Sequence, residues 1–168
     1  IVDAAGATTT FAYDAAGRRS SVTNALGQTS TFTYDAQDRL VRTVDPNGVV
    51  TDSTYTPRGW LATRSLRANA DGSPSADDAT TAMSYDAVGN LIQVTDPDGV
   101  STTFTYDANR RQIATSDSEG NIRTKKFDAA DPLTTEAMAD AGSSDPSWLR
   151  SYAFDAATQR LATIDEDN

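Results

Sequence analysis

The sequence contains no cysteine and no histidine, and only two of its 168 residues are lysine. Without cysteine there is no disulfide framework and no thiol chemistry. Without histidine, the side chain that most often serves as a general base or a metal ligand is missing. We therefore expect a protein that is not an enzyme and that carries no catalytic residue, no metal and no cofactor.

Long apolar runs and an excess of positive charge are also missing. No apolar stretch approaches the length of a transmembrane helix, and the first six residues do not resemble a signal peptide. The formal net charge of -10 argues against nucleic acid and anionic membranes as partners, because phosphates need a basic face. We expect no nucleic acid and no membrane-spanning segment.

What the sequence does contain is a repeat of 21 residues, which outranks any local pattern as evidence of architecture. An aromatic residue marks each of seven units: Tyr13, Tyr34, Tyr55, Tyr85, Tyr106, Phe127 and Phe154. The period is interrupted by two inserts, near residues 67–79 and 137–147. The array fills residues 1–168, and the first unit begins in its second half. This predicts a piece of a longer chain whose neighbouring repeats are its first partners.

Each unit predicts two strands and two turns. Large apolar residues alternate with Thr, Ser and Ala up to the aromatic residue, which is typical of a strand with one packed and one solvated side. A second strand starts at a leucine, as at Leu40, Leu61 and Leu91. Glycines close the turns between units at Gly27, Gly48, Gly99 and Gly120. The prediction is an all-β meander of roughly fourteen strands.

An aspartate follows most of the aromatic residues, and six positions share this pattern: Asp14, Asp35, Asp86, Asp107, Asp128 and Asp155. Paired carboxylates can perform acid–base chemistry, but a catalytic pair is normally a single constellation. Because these aspartates recur where a turn needs a cap, we interpret them as structural. Asp96-Pro97-Asp98-Gly99 is likewise interpreted as a turn, since it lacks the closing glutamate of a calcium loop.

Other recurrent residues leave two interpretations open. Arg18, Arg39 and Arg111 are expected to pair with the aspartates of neighbouring hairpins. Trp60 is interpreted as rim packing, with a sugar or partner contact as the alternative. Trp148, placed in the second insert, is the better candidate for such a contact. The inserts themselves are interpreted as flexible surface loops, with a binding or docking role as the alternative.

Three segments carry a resemblance to a known family: Tyr13 to Arg19, Tyr34 to Leu40 and Tyr85 to Leu91. Each is similar to the Tyr-Asp-x-x-Gly-Arg-Leu core of the YD repeats, also called RHS repeats. The resemblance covers the chain apart from the inserts. It departs from the pattern at Thr56, which replaces the aspartate, and at Asp38 and Arg110, which replace the glycine.

The resemblance implies a curled ribbon of antiparallel hairpins that is part of a β-spiral shell. In bacterial members the shell is secreted and encloses a C-terminal toxin. On this basis we expect a structural segment of such a shell, located outside the cell or at its surface, with an enclosed toxin as cargo. The alternative is an adhesion or fibre module that binds glycans or another cell surface. Exposed sheet edges would also permit self-association.

Overall fold

A computed structural model describes residues 1–2, 4, 6–128, 132–143, 145–154 and 161–167 of the chain. The described residues fall into two compact units. The first comprises residues 1–82 and 96–98, and the second comprises residues 83–95 and 99–168. No described helix has the length and apolar character needed to cross a membrane.

Short strands account for nearly all of the regular structure. The bounds are β1 (Thr10–Tyr13), β2 (Arg19–Thr23), β3 (Thr29–Tyr34), β4 (Leu40–Val44), β5 (Val50–Tyr55), β6 (Leu61–Leu66), β7 (Ala79–Tyr85), β8 (Leu91–Thr95), β9 (Ser101–Tyr106), β10 (Gln112–Ser116), β11 (Ile122–Phe127), β12 (Leu133–Ala139), β13 (Trp148–Phe154) and β14 (Leu161–Asp167).

In each unit the strands lie side by side in the order of the sequence, and every described pair is antiparallel. Consecutive strands can pair in this way because turns of a few residues are enough to reverse an antiparallel chain. The predicted fold class, an all-β meander of hairpins with a 21-residue period, is confirmed. Tyr-Asp turns form one rim of the sheet, which we call the ladder rim, and the other turns form the opposite rim.

A β-bulge accompanies the aromatic residue of the repeat. Thr33 pairs with Arg42, but the next residue, Tyr34, pairs with Leu40, so Val41 is left over. Similar register shifts occur at Tyr13, Tyr55, Tyr106, Phe127 and Phe154. Such bulges re-aim a side chain and increase the local twist. In the fifth unit Gln112 takes the place of the leucine opposite Tyr106, and Ile113 is the residue left over at the bulge.

The sheet is a single layer with hardly any core. Val50, which is 5% exposed, is the one apolar residue that is buried among the described residues. In β3 the predicted alternation is present, since Phe32 and Tyr34 are half-buried while Thr31 and Thr33 are exposed. However, the expected packed side is not covered by a second layer in either unit.

Both predicted inserts need corrected boundaries. The second was placed at residues 137–147, but β12 continues to Ala139 because no turn residue precedes Asp140. Trp148 was assigned to that insert and instead begins strand β13. The first was placed near residues 67–79, and Ala79 is the first residue of β7. Both inserts connect strands at the rim opposite the ladder rim.

Candidate functional site

The ladder rim is built from one local motif. The Oδ1 atom of Asp14 accepts hydrogen bonds from the backbone N–H groups of Ala16 (3.0 Å) and Arg18 (2.9 Å). Its Oδ2 atom accepts one from Nε of Arg18 at 2.8 Å. An aspartate side chain folds the turn in this way because it supplies acceptors for amides that the strands leave unpaired. Asp35 and Asp107 make the same contacts with the residues two and four positions later.

The arginine of this motif joins its own turn to the next repeat. Nη1 of Arg18 donates to the backbone carbonyl of Asp35 at 3.0 Å, and the guanidinium lies 4.9 Å from the centre of the Tyr34 ring. Arg39 repeats both contacts with the carbonyl of Thr56 (3.3 Å) and the ring of Tyr55 (4.8 Å). Stacked guanidinium–aromatic pairs contribute about 0.5–1 kcal/mol at exposed sites.

The tyrosine completes the connection in the opposite direction. The Tyr55 hydroxyl donates to the backbone carbonyl of Leu40 in the preceding hairpin at 2.7 Å. Tyr34 donates to the carbonyl of Arg19 at 3.0 Å. Tyr106 donates to the carbonyl of Leu91 at 2.9 Å. The leucine position thus provides an apolar neighbour within its own hairpin and an acceptor for the tyrosine of the next. We call this set of contacts the Tyr–Asp–Arg ladder.

The expected pairing with a neighbouring hairpin's aspartate is present at Arg18, but the arginines also pair within their own turns, which was not predicted. Arg39 forms its ion pair with Asp35 of its own turn, at 2.6 Å, and so does Arg111 with Asp107, at 2.7 Å. The two partners are four positions apart in one turn, so their side chains meet without crossing a strand. The contact with the neighbouring hairpin is made by Nη1 of the guanidinium, which donates a hydrogen bond to a backbone carbonyl. Arg18 also pairs with an aspartate of the next repeat, Asp38 at 2.6 Å.

Departures from the repeat motif keep part of its geometry. Thr56 stands in for the aspartate, and its hydroxyl accepts the N–H of Trp60 at 3.1 Å. Asn90 stands in for the arginine and donates to Oδ2 of Asp86 at 2.7 Å. Asp38 and Arg110 occupy the glycine position with φ of 63° and 64°. These two residues adopt the left-handed conformation that glycine enters without steric cost.

The remaining predicted residues lie at comparable positions. The side chain of Phe127 lies under Arg111, with 4.8 Å from the guanidinium to the ring centre, and the carbonyl of Asp128 accepts a hydrogen bond from Arg111 at 3.1 Å. Phe154 ends β13, and Asp155 lies outside the described residues. The turn glycines have positive φ between 77° and 90°, at Gly27, Gly48, Gly99 and Gly120. Tyr85, Leu61 and Leu91 lie at the strand ends beside the ladder rim.

Trp60 lies in the turn between β5 and β6, and Trp148 is the first residue of β13. Trp60 is half-buried at the ladder rim beneath Arg58, 5.4 Å from the guanidinium to the ring. Trp148 is half-buried on β13, with the guanidinium of Arg150 5.1 Å from its ring. Each ring therefore has an arginine neighbour two residues away. A ligand or partner contact at either tryptophan stays a prediction.

A second polar cluster, which we call the insert clamp, was not predicted. Arg42 holds Asp52 with two hydrogen bonds of 2.6 and 2.7 Å, and Arg67 binds the same carboxylate at 2.7 Å. Arg67 also binds Asp78 at 2.6 Å, which joins the two ends of the first insert. Arg42 and Asp52 are cross-strand partners, but Arg67 and Asp78 meet through loop folding. The spacing of Arg67 and Asp78 in the sequence does not predict that these two residues meet.

The clamp holds the first insert against the sheet. Arg42 donates to the backbone carbonyl of Gly72 at 3.1 Å. Gly72 lies directly over Val50, and a Cβ atom at that glycine would come within 3.1 Å of the valine side chain. Glycine is therefore needed here both for close approach and for its φ of 72°. Most residues of this insert are exposed, as predicted for a surface loop, but it also covers the one buried apolar side chain among the described residues.

The environment of both clusters favours the charged forms. The backbone N–H and the guanidinium of Arg18 hold the pKa of Asp14 below its usual range. Hydrogen bonds from Arg42 and then Arg67 lower the pKa of Asp52. The backbone N–H groups of Ala68 and Ser75, followed by Arg67, lower the pKa of Asp78. No group of three or more acidic residues in the described part of the chain could hold a metal ion.

The ladder predicts a measurable role for one hydroxyl group. Tyr55→Phe removes the hydrogen bond to Leu40 but keeps the ring under Arg39, so we expect a loss of about 1 kcal/mol in the free energy of unfolding. Tyr13→Phe is the matched control, because the exposed Tyr13 hydroxyl donates to no described residue. Urea denaturation of the two variants measures the difference. Equal effects of the two substitutions would contradict the ladder.

The insert clamp predicts a pH dependence. The folded-state pKa of Asp52 is lower than its unfolded value of about 3.9. Its contribution is therefore complete above that value and is lost as the pH falls through the folded-state pKa. We expect Asp52→Asn to destabilise the chain by about 2 kcal/mol at pH 7, because two arginines lose their carboxylate. This deficit should shrink below about pH 4.

Urea denaturation at a series of pH values from 7 to 3 measures this deficit. Asp77→Asn is the control, since it removes the same charge from an exposed residue whose side chain binds no described residue. A deficit for Asp52→Asn that stays constant across the pH series would contradict the assignment.

Comparison with solved structures identifies similar folds. A Photorhabdus luminescens Tc holotoxin pore with a substitution in TccC3 has a TM-score of 0.74 at 20% identity, covering 96% of this chain and 9% of that one. A crystal structure of TcdB2-TccC3 has a TM-score of 0.63 at 18% identity, covering 92% and 10%. The chain thus spans about a tenth of the solved chains it matches. None of the curated proteins is a match.

A family model supplies the assignment that the structural likeness alone does not. The model for the RHS Repeat matches residues 1–29, 20–50, 34–73 and 85–122, which together make up more than half of the chain. These ranges contain the turns at Asp14, Asp35 and Asp107 from which the Tyr–Asp–Arg ladder is built. The chain therefore belongs to the RHS repeat family, as its Tyr-Asp motifs predicted.

Proposed function

We propose that this chain is a non-catalytic segment of the wall of a secreted shell, and that the shell encloses a polypeptide cargo, of which a C-terminal toxin is the expected form. The single observation that carries the proposal is the one-layer sheet. Its hairpins are joined to their neighbours by the ladder, and the sheet buries only one apolar side chain among the described residues. A compact enzyme or binding domain would have a second layer and a core.

A one-layer sheet suits a wall because it presents two different faces. In β3 one face carries Phe32 and Tyr34, and the other carries Thr31 and Thr33. The first insert covers the second of these faces where Val50 is buried, since Val50 and Thr31 both pair with Val44. A wall separates two environments, so a difference between its faces is expected. The proposal needs no further domain within these residues.

The family and the similar folds support this proposal. The chain covers about a tenth of the matched chains, among them those of a Tc holotoxin, which is the relation expected of a segment to a complete wall. Neighbouring repeats of a longer chain would then continue the ladder beyond both ends. A secreted location is part of the same proposal, and the similarity to Tc toxin structures supports it.

A non-catalytic role is supported by how the recurrent carboxylates are used. Asp35 and Asp107 each accept two backbone hydrogen bonds and one from an arginine side chain. Such contacts stabilise the ionised form, and each of these carboxylates already has partners within its own turn. The same arrangement recurs along the rim, so its purpose is to fold and connect hairpins.

The experiment uses the native polypeptide that contains these residues, isolated with an antibody against this chain. We expect a chain on the order of ten times as long as this one, from the coverage of the matched structures. Limited proteolysis in native buffer should leave a second, enclosed polypeptide intact. The same protease should digest that polypeptide after the shell has been unfolded in guanidinium chloride.

Two results would contradict the proposal. One is a mature chain close to the 17.8 kDa of these residues, which is too small to enclose a folded protein. The other is a polypeptide that is digested equally fast before and after unfolding. Binding of the mature chain to surface glycans, lost on Trp148→Ala, would then favour the adhesion module instead.

A further inference from the structure

One position of the Tyr–Asp–Arg ladder in the second unit has an asparagine where the motif has an arginine. In the ladder an arginine binds a backbone carbonyl 17 residues later, and three arginines do so: Arg18, Arg39 and Arg111. Asn90 and Asp107 are separated by the same 17 residues. We call Asp86, Asn90, Tyr106 and Asp107 the Asn90 rung.

The backbone of the Asn90 rung is placed as in the rungs that contain an arginine. The Tyr106 hydroxyl donates to the carbonyl of Leu91, 15 residues earlier, at 2.9 Å, as the other tyrosines of the ladder do. Asp86 folds its turn by accepting the backbone N–H groups of Val88 and Asn90, both at 2.9 Å. Both hairpins therefore hold the positions between which an arginine fits elsewhere.

The Asn90 side chain makes only the inner contact of the arginine that it replaces. Its Nδ2 donates to Oδ2 of Asp86 at 2.7 Å, just as Nε of Arg18 donates to Oδ2 of Asp14 at 2.8 Å. Asparagine ends at this nitrogen, whereas arginine continues with a planar carbon and two more nitrogens that carry N–H donors. The contacts of those outer atoms with the next hairpin are therefore not made by Asn90.

The groups that would receive these outer contacts are present and accessible. Within the described part of the chain, no guanidinium lies over the Tyr106 ring and no side chain donates to the carbonyl of Asp107. That carbonyl accepts one backbone N–H, from Arg110 at 3.0 Å, and a carbonyl oxygen can accept a second. Tyr106 and Asp107 are half-buried, so a partner can reach both from the rim.

The carboxylate of the Asn90 rung also differs from its counterparts in charge balance. Asp86 forms no ion pair with any residue that the structure describes, and the exposed Arg110 of the adjacent turn does not reach it. Partial burial opposes its ionisation, but the N–H groups of Asn90 hold the pKa of Asp86 below its usual range. The other aspartates of the motif pair with an arginine four positions later: Asp14, Asp35 and Asp107.

From these observations we propose that the Asn90 rung binds the guanidinium group of an arginine side chain that a partner polypeptide supplies. The Tyr106 ring stacks on the guanidinium, the Asp107 carbonyl accepts one of its N–H groups, and Asp86 provides the opposite charge. A lysine ammonium suits the site less well, because it is strongly hydrated and lacks a planar face. The inference goes beyond the proposed function and does not depend on it.

The test titrates the full, isotope-labelled chain with the N-acetyl methylamides of arginine and of lysine. Binding is read by NMR from the backbone N–H signals of Tyr106 and of Arg110, whose N–H donates to the Asp107 carbonyl. The arginine probe should give saturable shifts with a dissociation constant on the order of millimolar, since one side chain is bound. The lysine probe should bind about fivefold more weakly or worse.

Asn90→Arg fills the rung from within the chain. It should weaken binding of the arginine probe by about tenfold or more, because the new side chain takes the same ring, carbonyl and carboxylate. It should also raise the urea concentration at the midpoint of unfolding, since it restores contacts that Arg18 and Arg39 make.

Asp86→Asn removes the charge and should weaken binding of the arginine probe by about threefold or more. The turn is retained in this variant, because Asn24 accepts the equivalent two backbone N–H groups at 3.0 Å. Asp117→Asn is the matched control: Asp117 accepts Nδ2 of Asn121 at 2.8 Å, but its turn lies at the opposite rim. The control should change the affinity by less than about twofold.

Four results would overturn the inference: no shifts with the arginine probe, equal binding of the two probes, unchanged binding in Asn90→Arg, or equal losses in the two aspartate variants. All four are measured on the chain itself. They are therefore separate from the protease-protection experiment, which tests the proposed function.

Discussion

A sheet of one layer cannot bury an apolar face, and the rest of this structure depends on that constraint. Hydrophobic burial normally supplies the dominant favourable term in folding. Here the described residues bury one apolar side chain, Val50, and the aromatic residues of the strands remain half-exposed. Cohesion must therefore come from backbone pairing between strands and from contacts that tie each hairpin to the next. Stability becomes a property of neighbouring hairpins, as in other repeat proteins.

The Tyr–Asp–Arg ladder provides the contacts that tie each hairpin to the next. One aspartate folds the turn, one arginine spans from that turn to the next backbone, and one tyrosine bonds back to the preceding hairpin. The contacts with the next hairpin use backbone carbonyls and ring faces, so they tolerate the substitution of Thr56 for the aspartate and of Phe127 for the tyrosine. The insert clamp stabilises a loop in a similar way, because Arg67 binds Asp78 and so joins the two ends of the first insert.

Periodicity was enough to predict the fold but not the contacts that connect its units. The 21-residue spacing and the alternation around residues such as Phe32 and Tyr34 predicted the strands, turns and antiparallel order. The bulge at Tyr34 could not be foreseen, because it depends on which residue of the partner strand is skipped. The target of Arg39 and the insert clamp depend on cross-strand register and loop folding, for which the sequence has no periodic signal. Trp148 was assigned to the second insert because the position at which β13 begins, directly after the insert, was not evident from the composition.

The claim that this fold lacks a core is tested most directly by the heat-capacity change on unfolding. Exposure of apolar surface makes this quantity positive, and globular proteins average about 12–15 cal/mol/K per residue. For 168 residues that average corresponds to about 2 kcal/mol/K. Scanning calorimetry of this chain should give a value clearly below that figure. A value at or above about 2 kcal/mol/K would show that a conventional apolar core unfolds, and would contradict the account.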